Sequence, residues 1–454
     1  MIKYCGGAGK RGARGAPHIV EVILNFSGGV HPAGCKALSR EARIGVLPQP
    51  EEVYIPLSQH IGAPAKPVVK TGQRVLKGQL IGEAAEGLSA NVYSSVAGTV
   101  KGIVTHITAA GKKTDHIRII NDFTDESMLL PPVDSVTPES VLARIREAGI
   151  VGMGGAGFPA AAKLNVKGRA DILVVNAAEC EPYITCDYRI LLEYTKEFLK
   201  GVEYVLLACG AKRAVIGIEK NKPEAIEALN SALSAGLCDA DVSVCPLRTR
   251  YPQGAEKQLI YGCTGRKVPE AKLPVDAGVV VVNVHTAFSV YRAVGENIPC
   301  YERVMTVSGG ACERPSNLWV RGGTPLRNVA EYCGGSEECG RIISGGPMMG
   351  GAVFSLKVCT SKTTSCLLFL TDEEADNDEA SPCIGCGRCV QACPMGLSPT
   401  FIEEAVIAKD YAEAKRYGAM SCIGCGCCSY VCPAKRYLAQ TINLAKKMIR
   451  ERKV

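Results

Sequence analysis

Eight cysteines fall into two short arrays. The segment PCIGCGRCVQACP supplies Cys383, Cys386, Cys389 and Cys393 ahead of Pro394, and SCIGCGCCSYVCP supplies Cys422, Cys425, Cys428 and Cys432 ahead of Pro433. Both read CxxCxxCxxxCP. Two-residue gaps let three thiolates converge on one face of an iron–sulfur cubane, glycines relieve the crowding, and in two-cluster ferredoxins the fourth cysteine reaches over to the other cluster. The pattern therefore predicts two 4Fe-4S clusters with crossed ligand sets: Cys383, Cys386, Cys389 and Cys432 on one, Cys422, Cys425, Cys428 and Cys393 on the other. Zinc is commonly held by two CxxC pairs across a long gap and requires neither a third close cysteine nor the Cys-Pro. Cys427 is an extra cysteine in CGCC. Spacing makes it a non-ligand, although sequence alone leaves an exchange with Cys428 open.

A second candidate site is built from glycine. In GIVGMGGAGFPAAAKL, Gly152, Gly154, Gly155 and Gly157 precede a run of helix formers. A backbone this bare can approach a phosphate, and a helix N-terminus behind it adds N–H donors and a favourable dipole. The same pattern also serves tight packing alone. Next, ADILVVNAAECEP reads as a buried strand over 171–175 that runs into Asn176, Glu179 and Glu181, and a second strand over 279–282 runs into Asn283, His285 and Thr286. Polar groups at the carboxyl ends of α/β strands are where ligands sit. His285 reads as a hydrogen-bonded structural residue. No Ser-His-Asp order and no HExxH motif occurs, so hydrolysis has no candidate residues.

These residues need several units to position them. A chain of 454 residues exceeds one ordinary core, and 47% hydrophobic with 21% charged residues is the range of folded globular proteins. Strands and helical stretches over 137–295, with a helix near 138–148, suggest an α/β layer with a partly parallel sheet. Between the cysteine arrays, residues 398–420 alternate apolar and charged at helical spacing up to Gly418, so the arrays should be joined by helix. The acidic run TDEEADNDEA at 371–380 reads as an exposed linker and a domain boundary. Residues 301–354 suggest a small β-rich domain holding the only tryptophan, Trp319, as core. Residues 61–105 contain two turn-strand units, VVKTGQRVLKGQLIG and SSVAGTVKGIV, that resemble the lipoyl or biotinyl barrel-sandwich. No lysine lies between Lys77 and Lys101 to carry a swinging arm, so the expected role is structural or docking.

Charge and hydropathy exclude other classes. The formal charge of +7 is modest and spread along the chain, so nucleic acid is not expected as a partner. No apolar run approaches the roughly 18 to 20 residues that cross a bilayer. The basic, glycine-rich start (residues 1–16) lacks the hydrophobic segment of a secretory signal and reads as a flexible tail. The final LAQTINLAKKMIRERKV has an amphipathic helical pattern, read as a solvated terminal helix with docking on a partner or anionic membrane as the alternative. With 23 cysteines and no signal, the compartment is expected to be reducing, and the cysteines outside the arrays are given no chemistry.

With these features placed, the sequence from about residue 26 to 447 resembles the RnfC family, a component of Rnf-type ferredoxin:NAD⁺ electron-transport complexes. The resemblance rests on FSGGVHP, IPLSQHIGAPAKP, NAAECEPYITCDYR, YPQGAEKQLIYGCTGR, ISGGPMMGG, CIGCGRCVQACPMGL and CIGCGCCSYVCP, in the family's order. Parts of the middle also resemble the flavin- and NADH-binding subunit of respiratory complex I. The implied architecture is multidomain α/β plus β. A flexible extension (1–25) precedes a barrel-sandwich hybrid (26–125), a Rossmann-like FMN/NADH domain (126–300) and a β-grasp-like SLBB domain (301–370). The acidic linker (371–380) then leads to a ferredoxin-like helical two-cluster domain (381–454). The resemblance implies that Gly152, Gly154, Gly155 and Gly157 with Lys163 hold the FMN phosphate and ribityl chain, while Asn176, Glu179, Asn283 and Thr286 line the flavin. Phe158 and Glu181 would face the nicotinamide nucleotide, and Tyr251, Gly254 and Glu256 would close the pocket. The sequence departs from the complex I pattern at Cys180, where that subunit has glycine, and in YPQGAE, which lacks an adjacent acidic pair.

Clusters pass single electrons, NAD⁺ takes a hydride, and a flavin does both, so FMN would be the converter. The implied protein is a peripheral subunit on the cytoplasmic face of the cell membrane. Its partners are the membrane subunits of an Rnf complex, which move Na⁺ or H⁺, and an iron–sulfur subunit that accepts electrons from ferredoxin; NAD(H) is its substrate. The alternatives are a soluble electron carrier for proline reductase or a cobalamin reductase, towards which GLSANVYSSVAGTV leans, and a non-catalytic cluster-bearing scaffold.

Overall fold

A computed structural model describes residues 25–109 and 111–452. The expected tail over 1–25 therefore lies outside the described residues except for Asn25. The chain forms four units, each built on its own core.

In the first, Glu52–Pro56, Lys113–Asn121, Gly98–Ile107 and Arg74–Val75 form one antiparallel sheet, and Lys66–Pro67, Leu80–Glu83 and Val92–Tyr93 a second. Val53 and Ile55 on one strand and Ile117 and Ile119 on its neighbour are fully buried at alternate positions, so one face of the pleat fills the space between the sheets. This is the barrel-sandwich.

The second unit is a parallel sheet in the order Val242–Leu247, Arg213–Glu219, Ile172–Ala177, Val279–Asn283. Helices cover both faces, which is why these strands read as continuous apolar runs. Leu173, Val175, Val280 and Val282 meet the helices Pro138–Glu147, Thr195–Cys209 and Val284–Gly295, while Ile172, Val174, Val279 and Val281 meet Glu256–Thr264.

The third unit packs the helix Leu326–Cys333 on a mixed sheet that includes Glu302–Ser308, Ser316–Arg321, Arg341–Ser344 and Cys366–Leu370. Its edge strand comes from far upstream: Ile44–Val46 pairs in parallel with Asn317, Leu318 and Trp319. The N-terminal segment thus serves two units. Trp319 is half-buried, packed between Tyr194, Phe288 and the Arg292 guanidinium.

The last unit is helical. The expected helix between the arrays is two helices, Pro399–Ile407 and Tyr411–Arg416, broken where Lys409 takes a φ of +60° and the Asp410 side chain caps the second helix. The terminal helix Leu438–Arg452 turns Ile442, Ala445 and Ile449 onto Ile402, Ala405 and Val406. Its apolar stripe is therefore occupied within the unit, and partner or membrane docking through that stripe is ruled out. The acidic run is mostly exposed but not slack. It contains a one-turn helix, Asp372–Ala375, whose Glu374 accepts from the Tyr183 hydroxyl and Gly310 N at 2.9 Å each. No described helix is long and apolar enough to cross a membrane.

Candidate functional site

The two polar strand ends lie side by side, because the central strands are in parallel register with Asn176 opposite Asn283. Asn176 Nδ2 donates to Gly254 O at 2.8 Å, tying the strand end to the YPQGAE turn. Asn283 Oδ1 accepts from His285 N at 2.9 Å and Thr286 N at 3.4 Å, capping the helix Val284–Gly295, while its Nδ2 donates to Asp187 at 2.5 Å. Thr286 Oγ1 in turn accepts from Met153 N at 3.0 Å and holds the glycine loop at its base.

That loop is closed by Gly152 N donating to Phe158 O at 2.8 Å. A Cβ on Gly154 would stand 2.9 Å from the Asn283 Cβ, and one on Gly157, which has a φ of +71°, would stand 3.0 Å from Gln59 O; one on Gly155 would meet nothing within 4 Å. The loop is thus pinned on both flanks and open at Gly155. Phe158 is 38% exposed beside it. Lys163 and Glu256, expected in different parts of the pocket, pair at 2.8 Å on its rim. The helix behind the loop is shorter than expected: Ala160–Leu164 has only five residues and no side-chain cap, so its dipole is weak. The longer helix that begins at Val284 supplies the ordered N-terminus instead. His285 sits there, buried against Phe288 and Trp319 as a structural residue.

Two glutamates line the adjoining wall. Glu179, at a φ of +44°, accepts from Asp187 N at 2.7 Å through Oε1; its Oε2 is buried without a hydrogen-bond partner, 3.9 Å from Lys36 Nζ. Glu181 Oε2 accepts from Met348 N at 3.1 Å. Burial pushes both carboxyls up to about 7. The Tyr251 hydroxyl donates to Cys425 O at 2.7 Å and lies 3.3 Å from Glu181 Oε1. A phenol has one proton, so both contacts are hydrogen bonds only when Glu181 is protonated and donates. Cys180, the departure from the complex I pattern, accepts from Gly254 N at 3.2 Å, and burial pushes its thiol up to about 12.

Sequence reasoning missed the cations that make this wall tolerable. Lys36 donates to Glu181 O at 3.0 Å, and the buried Lys222 donates to Ala178 O at 2.6 Å and pairs with Glu219 at 3.6 Å. Neither lies near the glutamate motif in sequence. Asp187 does lie in NAAECEPYITCDYR, and its acidic side chain at the start of a helix was the available signal.

The cysteine arrays come together in crossed fashion. Cys422, Cys425 and Cys428 line one cavity with Cys393 of the other array, walled by Met395, Leu397 and Ile442. Cys432 packs with Cys389 of the first array near Leu438 and Ala439. Gly385 N donates to Cys383 Sγ at 3.4 Å, Gly424 N to Cys422 Sγ at 3.3 Å and Leu397 N to Cys393 Sγ at 3.3 Å, bonds of the kind that stabilise thiolates. Gly385, Gly387, Gly424 and Gly426 all have positive φ, which is what the CxxCxxC turns require. Among the described residues no three His, Cys, Asp or Glu side chains converge as they would on a single ion. Cys383 and Cys386 are exposed and Cys427 is fully buried. The second array abuts the glutamate wall: a Cβ on Gly426 would stand 2.8 Å from Met348 O.

Three family models match the chain: an RnfC barrel sandwich hybrid domain over 24–124, a Nuo51 FMN-binding domain over 145–292 and a 4Fe-4S dicluster domain over 375–433. Among curated proteins, the chain is 44% identical to the RnfC-type subunit of a proton-translocating ferredoxin:NAD⁺ oxidoreductase complex of Clostridium ljungdahlii, covering 94% of each protein. It is 43% identical to the corresponding subunit of an ion-translocating oxidoreductase complex of Rhodobacter capsulatus, over 94% of this chain and 84% of that one. It is 41% identical to that of the Na⁺-translocating ferredoxin:NAD⁺ oxidoreductase complex of Acetobacterium woodii, over 93% and 97%. Among solved structures, an NAD⁺-reducing NiFe-hydrogenase in its H₂-reduced state superposes with a TM-score of 0.50 at 18% identity, over 71% of this chain and 64% of that one; it speaks for the fold alone.

Proposed function

The chain belongs to the RnfC family of ion-translocating ferredoxin:NAD⁺ oxidoreductase complexes, and from that premise we propose that it passes electrons between two 4Fe-4S clusters and NAD(H) through one FMN. The observation that carries this reading is the wall shared by the glycine-loop pocket and the second cysteine array, where Tyr251 touches Cys425 and Glu181. Bound FMN exchanges a hydride with NAD(H) and single electrons with the clusters.

The chain's residues hold and order these groups. Gly152, Gly154, Gly155 and Gly157 with Lys163 cradle the phosphate and ribityl chain, a fit supported by the open face at Gly155. Asn176, Glu179, Asn283 and Thr286 line the ring, and the unpartnered Glu179 Oε2 supports a polar ligand there. Phe158 and Glu181 face the nicotinamide, with Tyr251, Gly254 and Glu256 closing the pocket. Cys422, Cys425, Cys428 and Cys393 hold the flavin-side cluster. Cys383, Cys386, Cys389 and Cys432 hold the outer one, whose exposed Cys383 and Cys386 face the redox partner.

The chain works as a peripheral subunit on the cytoplasmic face of the cell membrane. Its partners are the membrane subunits, which couple electron flow to Na⁺ or H⁺ movement, and a ferredoxin-accepting iron–sulfur subunit. Membrane fractionation with a tagged native chain tests this part. The chain should sediment with membranes, leave them on chaotrope treatment without detergent, and co-purify with hydrophobic subunits. Recovery as a soluble protein with none of these would favour a soluble carrier.

A further inference from the structure

We propose that residues 26–30, FSGGV, are a positioning strap that seats the flavin-side cluster against the flavin pocket. On one side, Val30 and Tyr251 exchange backbone hydrogen bonds, Val30 N to Tyr251 O at 2.7 Å and Tyr251 N to Val30 O at 2.9 Å. Arg250 grips the start of the segment, its guanidinium 5.1 Å from the Phe26 ring centre and donating to Phe26 O at 3.0 Å. On the other side, Gly29 N donates to Ala392 O at 2.8 Å. A Cβ on Gly28 would stand 2.5 Å from Cys393 O and 2.9 Å from Pro394 N, and one on Gly29 would stand 2.6 Å from Tyr251 O. Both glycines have positive φ, +75° and +80°.

The same five residues therefore hold two backbones at once: Tyr251, which touches Glu181 and Cys425, and Cys393, which completes the cavity of the second array. Units joined by a linker move relative to one another unless something fixes them, and a displacement of about 1 Å costs up to about a hundredfold where reacting groups must be aligned. The strap is what fixes these two. The proposal rests on the reading that FMN and a Cys393-ligated cluster occupy the two places.

The test is Gly28→Ala beside Gly87→Ala, whose φ of +82° imposes the same backbone cost in open space. In Gly28→Ala, FMN and iron contents and NADH-driven dye reduction, which needs only the flavin, should match wild type. Reduction of the clusters by NADH, followed by freeze-quench EPR, should slow about tenfold to a hundredfold. Gly87→Ala should change neither. Cluster reduction at the wild-type rate in Gly28→Ala would overturn the proposal. Should Gly28→Ala assemble no cluster, Phe26→Ala decides, since it loosens the strap away from the cysteines. Slowed cluster reduction with full iron supports the strap, and a wild-type rate overturns it. Hydrogen exchange at the Val30 and Tyr251 amides reads the strap without any cofactor. It should be slow in wild type and accelerated about tenfold or more in Gly28→Ala, whose loss of the pairing costs more than about 1.4 kcal/mol; equal exchange contradicts the strap. If wild type itself takes up neither FMN nor iron, the functional reading fails, and the exchange result still decides the strap.

Discussion

Single atoms decide what the pocket can hold. Gly154 and Gly155 are neighbours, yet a methyl group on the first meets Asn283 and on the second meets open space. Gly154→Ala should lower the melting temperature of the FMN-free chain. Gly155→Ala should leave it unchanged and weaken FMN binding, because the added methyl occupies the cradle. Unchanged FMN affinity in Gly155→Ala, measured by fluorescence titration, would place the phosphate elsewhere. Glu179 carries a second consequence. Burial raises its folded-state pKa to about 7, above the ordinary glutamate value of about 4.3, so the folded chain binds that proton more tightly than the unfolded one. Its contribution to stability is present below the unfolded value and is lost as pH rises through about 7. Melting temperature should therefore fall from about pH 5 to pH 7.5 in wild type, and calorimetry should find a smaller fall in Glu179→Gln. A partial slope remains, because Glu181 titrates in the same sense.

At the scale of elements, the terminal helix is part of the cluster unit's core rather than an appendage. Ile442 is 1% exposed against the helix Pro399–Ile407, whereas Leu444, two residues on, is 48% exposed. Ile442→Ala should destabilise the unit by about 2 to 5 kcal/mol, and Leu444→Ala by no more than about 0.5 kcal/mol, as read by chemical unfolding. The sequence predicted this helix from its period but not its destination, since an amphipathic stripe says that something covers it and not what. The break at Lys409 was hidden for a related reason: the alternation of apolar and charged residues continues through it, and only the Asp410 cap marks the new start. Strands 172–177 and 279–283 were legible because a parallel sheet covered on both faces writes itself as an apolar run. Strand Ile44–Val46 was not, because its pairing with residues 317–319 leaves no local trace.

Across the whole molecule, the cysteine ligands were legible because their spacing is local chemistry, while the relation between the two sites was not. Nothing in the spacing says that Tyr251 meets Cys425, that Met348 meets Gly426, or that Lys36 and Lys222 neutralise the glutamate wall. Those contacts join a strand end, a turn, a loop of the third unit and the cluster unit into one device, and they determine the order of transfer: outer cluster, flavin-side cluster, flavin, nicotinamide. Electrons should travel that order in either direction. The most direct test is to reconstitute the chain anaerobically, assay it for about eight irons and one FMN, and add NADH while recording the cluster EPR signals. The account predicts both cofactors in that ratio and cluster signals that grow with NADH. Full iron with no flavin, or a reduced flavin beside clusters that stay oxidised against NADH but yield to dithionite, would contradict it.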